Sequence, residues 1–188
     1  MELYFSIDIE ADGPVPGMYS MLSLGAAAFK IDDAGKGSIV GTWSSNLETL
    51  PGAATDPDTM NWWSMQNEAW MAVQKDKKEP KKAMREFIDW VNSVCKEHNA
   101  KPVFVAYPAG FDFTFVYWYM ITFAGESPFS FSCLDMKSYA MAKLKTDFRT
   151  VIKRNMPKEW FSKKNEQPHV ALEDAIEQGW MFVEMMKA

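Results

Sequence analysis

Apolar and polar positions alternate from the first residues. In "LYFSIDIE" (3–10), Ile7 and Ile9 point to one side of an extended segment while Asp8 and Glu10 share the other. The pattern predicts a strand there, a second over "MLSLGAAAFKI" (21–31) and a third over "SIVGTWSSNLE" (38–48). The turn "DDAGKG" (32–37) joins the last two, so the three strands read as an antiparallel meander. A helix is predicted over 55–73, with Asp56 as its N-cap and Pro57 at its first position. Another covers 80–98, where Ala83, Phe87, Trp90, Val91 and Val94 line one face. "KPVFVAYP" (101–108) has the continuous apolarity of a strand buried on both faces. A helix over 111–124, a short strand over 130–135, a helix over 136–145 and a closing helix over 169–187 complete the chain, with an irregular stretch at 145–168. Strands followed by alternating helices and strands predict an α/β fold, a mixed sheet with helices on its faces, in one domain spanning 1–188.

Composition narrows the function. At 47% hydrophobic residues the chain can bury a large core, and its net charge of −5 argues against coating duplex DNA by bulk charge. Gripping a single nucleic-acid end stays open, because bound metal can supply positive charge. Two cysteines without a CxxC pattern give neither a disulfide framework nor a zinc signature. The N-terminus lacks the pattern of a secretory signal, and the most apolar run, 113–125, is too short to span a bilayer. A cytoplasmic protein with no membrane association is the expectation.

Asp8 and Glu10 are the first candidate chemistry. Two carboxylates side by side on a core strand repel, and burial strengthens the repulsion. A metal ion, a basic partner or a shared proton would neutralise them. Asp112 follows the buried strand and opens a helix, a place where α/β sheets gather their sites and also where a carboxylate caps a helix. His169 and Asp174 lie five residues apart, a rotation of about 140° on a helix, so both reach one point only if His169 precedes the first turn. His98 ends a helix, where it suits the dipole rather than catalysis. Asp12 follows Glu10 too closely to join the pair and suits a loop-shaping role, and Asp135 and Glu173 match the other acids in type but not in position. Four acids and a histidine fit one chemistry: two divalent cations clamp a phosphodiester, one activating water and the other stabilising the leaving oxygen, while a neutral histidine takes the proton. Oxygen ligands favour magnesium or manganese.

"SIDIEADG", "AGFDFTF" and "HVALEDA", in that order, resemble the D-x-E, D and H-x4-D motifs of the DEDDh 3′–5′ exonucleases. The resemblance spans nearly the whole chain and implies the ribonuclease H-like fold, a mixed five-stranded sheet whose first three strands are antiparallel. Carried over by position, it implies that Asp8, Glu10, Asp112 and Asp174 bind two divalent ions, Mg²⁺ or Mn²⁺, and that His169 is the general base. It implies release of nucleoside 5′-monophosphates from a 3′ end. "DPDTMNWWSMQ" (56–66) and "AGESPFSFSCLDMKSYAM" (124–141) resemble a bacterial and phage subgroup described as 3′–5′ exoribonuclease-like. That favours a single-stranded RNA end, with a 3′–5′ exodeoxyribonuclease and a non-catalytic nucleic-acid-binding module on the same fold as alternatives. Dimers occur in related exonucleases, so a homodimer is compatible with the aromatic-rich helices.

The substrate side is read more coarsely. Trp62 and Trp63, adjacent on a helix, point about 100° apart, so one can pack inward while the other stacks on a base. Met21 and Leu24 stand where the family wedges apolar side chains against terminal bases, although by composition they read as core. Residues 143–164 carry eight Lys and Arg, among them Arg149, Lys153 and Lys164, against Asp147 and Glu159. This basic segment runs up to His169 and could guide a phosphate backbone. A second basic stretch, 75–85, reads as a helix connection on the surface.

Overall fold

The computed structural model describes residues 1–163 and 165–187; Lys164, counted in the basic segment, lies outside the described residues. Strands β1 (Glu2–Ala11), β2 (Met21–Ile31) and β3 (Gly37–Asn46) form the antiparallel meander. β4 (Lys101–Ala106) pairs parallel with β1, and β5 (Leu134–Asp135) parallel with β4, giving the order β3-β2-β1-β4-β5. The three-antiparallel, two-parallel sheet is the one the motifs implied.

The alternation along β1 builds two layers around it. Leu3, Phe5, Ile7 and Ile9 are buried with Phe87 and Val91 of α3 (Pro80–Glu97) and Phe115 and Tyr119 of α4 (Ala109–Ala124). The opposite face carries Tyr4, Ser6, Asp8 and Glu10, and α6 (Ala171–Lys187) covers it, with the rings of Tyr4 and Phe182 5.1 Å apart. Val105 of β4 and Met136 and Ala140 of α5 (Met136–Leu144) extend that second core with Phe182 and Met185. The apolar 113–125 run lies within α4 and the turn that ends it, and no helix among the described residues is long and apolar enough to cross a membrane.

Three elements differ from the sequence expectation. The 55–73 helix is two helices, α1 (Pro57–Trp63) and α2 (Asn67–Val73). The break lets Trp63 and Trp70 meet over Leu22, their rings 5.4 Å apart, which one straight helix would not allow. β5 keeps two residues of the expected 130–135, because Phe129 turns into the core against Phe5 and Phe104 and leaves Phe131 82% exposed. The last helix begins at Ala171, and His169 precedes it with φ of +66°. Among its described residues the 145–168 stretch holds three single 3-10 turns, over Phe148–Thr150, Lys153–Asn155 and Lys158–Trp160.

Candidate active site

Three segments far apart in sequence meet at the carboxyl end of β1. Asp8 and Glu10 project from its last turn of pleat, half-buried, and a bulge between Glu10 and Ala11 redirects the chain beyond them. Asp112 sits in the first turn of α4, 4% exposed, and its Oδ1 accepts from the Ile9 N–H (3.1 Å). Asp135 caps α5 through the Ser138 N–H and also accepts from the Ala109 N–H (2.9 Å), so it anchors the helix start that carries Asp112. Asp12 accepts from the Ser20 N–H and closes the loop after β1, as its position suggested.

The third segment leads into α6. His169 donates its backbone N–H to Asp174 Oδ2 (2.7 Å), and Asn165 donates its side-chain amide to Asp174 Oδ1 (2.8 Å). The left-handed backbone at His169 turns the chain so that the imidazole and Asp174 reach the same point despite their five-residue spacing. Single ligand atoms of Glu10, His169 and Asp174 lie within 4.8 Å of one another. Trp62 stands edge-on to the imidazole, ring centres 4.7 Å apart.

The start of α6 approaches so closely because β2 has a glycine, Gly25, beneath it. Gly25 pairs across the sheet with Asp8, and a Cβ there would stand 2.2 Å from the carbonyl carbon of Ala171. Further along α6, Gln178 donates to Asp8 Oδ1 (3.2 Å).

The acids load one another. Burial, then Asp112, Glu10 and Asp174, push Asp8 well above the usual carboxylate range, against a smaller opposing pull from Lys153. Burial and the charges of Asp174 and Asp112 raise Glu10 to about 9. Burial raises Asp112 to about 7, partly offset by the Ile9 N–H. Asp174 is also raised by burial, against the His169 and Asn165 hydrogen bonds. None of the four is ion-paired to a lysine or arginine among the described residues, and Lys153 is bonded to Glu177 (2.9 Å). Convergent carboxylates with one imidazole and no salt-bridged cation among the described residues suit hard divalent cations.

A stability signature follows. Unfolded carboxyls titrate near 4, whereas Glu10 and Asp112 in the fold hold protons up to about 9 and about 7. The native chain therefore binds more protons than the unfolded one across that window, and stability falls as pH rises through it. In chelator, the thermal midpoint should drop by about 5 °C or more from pH 6 to pH 9. Saturating Mg²⁺ or Mn²⁺ should flatten the decline, because cations and protons compete for the same oxygens. Scanning calorimetry in both conditions checks it; a midpoint independent of pH in chelator contradicts the clustered acids.

Among the expected substrate contacts, three are corrected. Met21 and Leu24 are 0% exposed and Trp63 is 1% exposed, packed in the core, with the Trp63 indole donating to the Ala11 carbonyl (3.0 Å). A base cannot reach side chains that the core encloses. Trp62 is only part-buried beside His169, and Arg149 is exposed on the Phe148–Thr150 turn. Asn165, Gln178 and Gly25 went unnoticed in the sequence. A glycine inside a strand signals a close backbone approach, and Gln178 lies one turn from Asp174, but Asn165 sits in irregular chain with no signal.

A family model described as the 3′–5′ exoribonuclease Rv2179c-like domain matches residues 4–186. Over 138 residues the chain is 35% identical to the 3′–5′ DNA exonuclease Cap18 of Escherichia coli, covering 73% of this chain and 67% of that protein. A solved 3′-exonuclease that recognises the 3′ end of a histone mRNA stem-loop aligns with a TM-score of 0.72 at 12% identity, over 98% of this chain and 63% of that one. The zinc-bound complex of Escherichia coli exonuclease I with single-stranded DNA aligns with a TM-score of 0.64 at 13% identity, over 100% of this chain and 40% of that one. These structures share the ribonuclease H-like fold.

Proposed function

The chain belongs to the Rv2179c-like family of 3′–5′ exoribonuclease domains, a family of phosphodiester-hydrolysing 3′–5′ exonucleases, and on that premise we propose that it releases nucleoside 5′-monophosphates one at a time from single-stranded 3′ ends, with RNA as substrate. The observation that carries the reading is the meeting of Glu10 with His169 and Asp174, from opposite ends of the chain, within 4.8 Å.

In this reading Asp8, Glu10, Asp112 and Asp174 hold two Mg²⁺ or Mn²⁺ ions. Bound there, such ions supply Lewis acidity at the scissile phosphate and neutralise the charge that develops on it. His169 accepts a proton on its imidazole from the attacking water; its backbone bond to Asp174 and the edge of Trp62 hold the ring for that transfer. Trp62, with its partly open face, stacks a base, and Arg149 and Lys153 steer the phosphate backbone towards the acids.

The family description supports RNA. A second reading, DNA, is favoured by the 35% identity to the DNA exonuclease Cap18. Matched 5′-labelled RNA and DNA oligomers of one sequence, incubated with Mg²⁺, Mn²⁺ or chelator, separate the two. The expected result is a metal-dependent ladder shortening from the 3′ end, faster on RNA. A faster DNA ladder would establish the second reading. Binding without any ladder would leave only a nucleic-acid-binding module.

A further inference from the structure

Gln178 is 3% exposed on α6, between the buried Ala175 and Phe182. It lies four residues beyond Asp174, so both side chains face β1 from successive turns. Its Nε2 donates to the Ile7 carbonyl (3.1 Å) and to Asp8 Oδ1 (3.2 Å). A backbone carbonyl only accepts, so the Ile7 carbonyl fixes the amide with its nitrogen towards β1. Its Oε1 is then buried without a hydrogen-bond partner among the described residues.

That last feature makes a packing role insufficient. A buried acceptor with no donor is destabilising, and a methionine or leucine would fill similar space among these neighbours without it. The contact with Asp8 compensates for nothing in packing terms. It matters for a carboxylate crowded by Glu10 and Asp112, which would otherwise swing away from its like-charged neighbours.

We infer that Gln178 is a positioning residue: it ties the Asp8 carboxylate to the backbone of its own strand, in the orientation the cation site requires. The inference rests on the reading of the four acids as a cation site. Partners of this kind orient metal-binding carboxylates, and their loss weakens metal affinity or activity about 10–100-fold.

The test compares wild type with Gln178→Met and Gln178→Leu. Thermal midpoints are measured in chelator and across a Mn²⁺ titration without nucleic acid, followed by the Mn²⁺ dependence of cleavage. The expected result is a chelator midpoint equal to or above that of wild type, with the Mn²⁺ concentration for half-maximal stabilisation raised about 10–100-fold. The Mn²⁺ midpoint for cleavage should move in parallel. Should the apolar variants lower the chelator midpoint, Gln178→Asn carries the same comparison, since it keeps the amide but is too short to span both acceptors. Mn²⁺ midpoints unchanged from a responding wild type would overturn the inference alone. A wild type that does not respond to Mn²⁺ would overturn the cation-site reading and the inference with it.

Discussion

Asp112→Asn should leave a folded protein that is more heat-stable than wild type in chelator yet nearly inert as a nuclease. The carboxyl is 4% exposed and accepts from the Ile9 N–H, and an asparagine oxygen can accept the same bond. Above about pH 9, where Glu10 and Asp112 have both lost their protons, what disappears is one negative charge from a cluster of carboxylates that repel one another. The metal-free chain should therefore gain about 2–4 °C for each kcal/mol of repulsion removed. In the proposed reading a cation ligand goes with the charge. Loss of one fixed electrostatic contact at a reacting centre lowers kcat on the order of 10²–10³-fold, and the stabilisation by Mg²⁺ should vanish with it. Single-turnover cleavage and a thermal scan, each with and without Mg²⁺, report both effects. Wild-type cleavage by this variant would remove Asp112 from the site.

Gly25→Ala should fail differently, losing stability and activity together. The added methyl would stand 2.2 Å from the Ala171 carbonyl carbon and 2.2 Å from the Leu172 nitrogen. Both are backbone atoms, so no side chain can rotate aside; the start of α6 must lift off the sheet. Overpacking of this kind costs about 1–3 kcal/mol, which for a chain of this length lowers the midpoint by roughly 2–4 °C per kcal/mol. The same lift carries His169 and Asp174 away from Glu10. A displacement of about 1 Å at reacting groups can cost on the order of 100-fold in rate. Here the kcat of Mg²⁺-saturated enzyme should fall even at temperatures where the variant is fully folded. A folded variant with wild-type kcat would show that α6 tolerates the shift.

The two variants also show which parts of the site were legible in the residues and which were not. Alternation along β1 put Asp8 and Glu10 on one face, and the buried strand ahead of Asp112 put that acid at the end of the sheet. Rotation on a helix required His169 to stand before α6, and the structure places it there with a left-handed backbone. These are local rules, and they held. The failures came where tertiary packing overrode local pattern. Trp63 is drawn inward by the Ala11 carbonyl, Phe129 by Phe5 and Phe104, and the 55–73 helix breaks between two tryptophans that share one patch. Family resemblance points Met21 and Leu24 at substrate, whereas composition reads them as core, and both are 0% exposed. The supporting polar groups were invisible for another reason. Asn165 and Gln178 gain meaning only from partners that lie far away in the chain, and no spacing rule connects Gln178 with Ile7, 171 positions earlier.

That separation also sets an order in time. During synthesis the meander and its two acids leave the ribosome first, and domains fold as units once their segments are available. Asp112 joins Asp8 and Glu10 with α4, whereas His169 and Asp174 arrive only with α6 and the residues just before it. A nascent chain can therefore build much of its sheet while its acids face water with no histidine beside them. The cluster of acids and imidazole is therefore complete only once α6 has been made and has docked on the sheet.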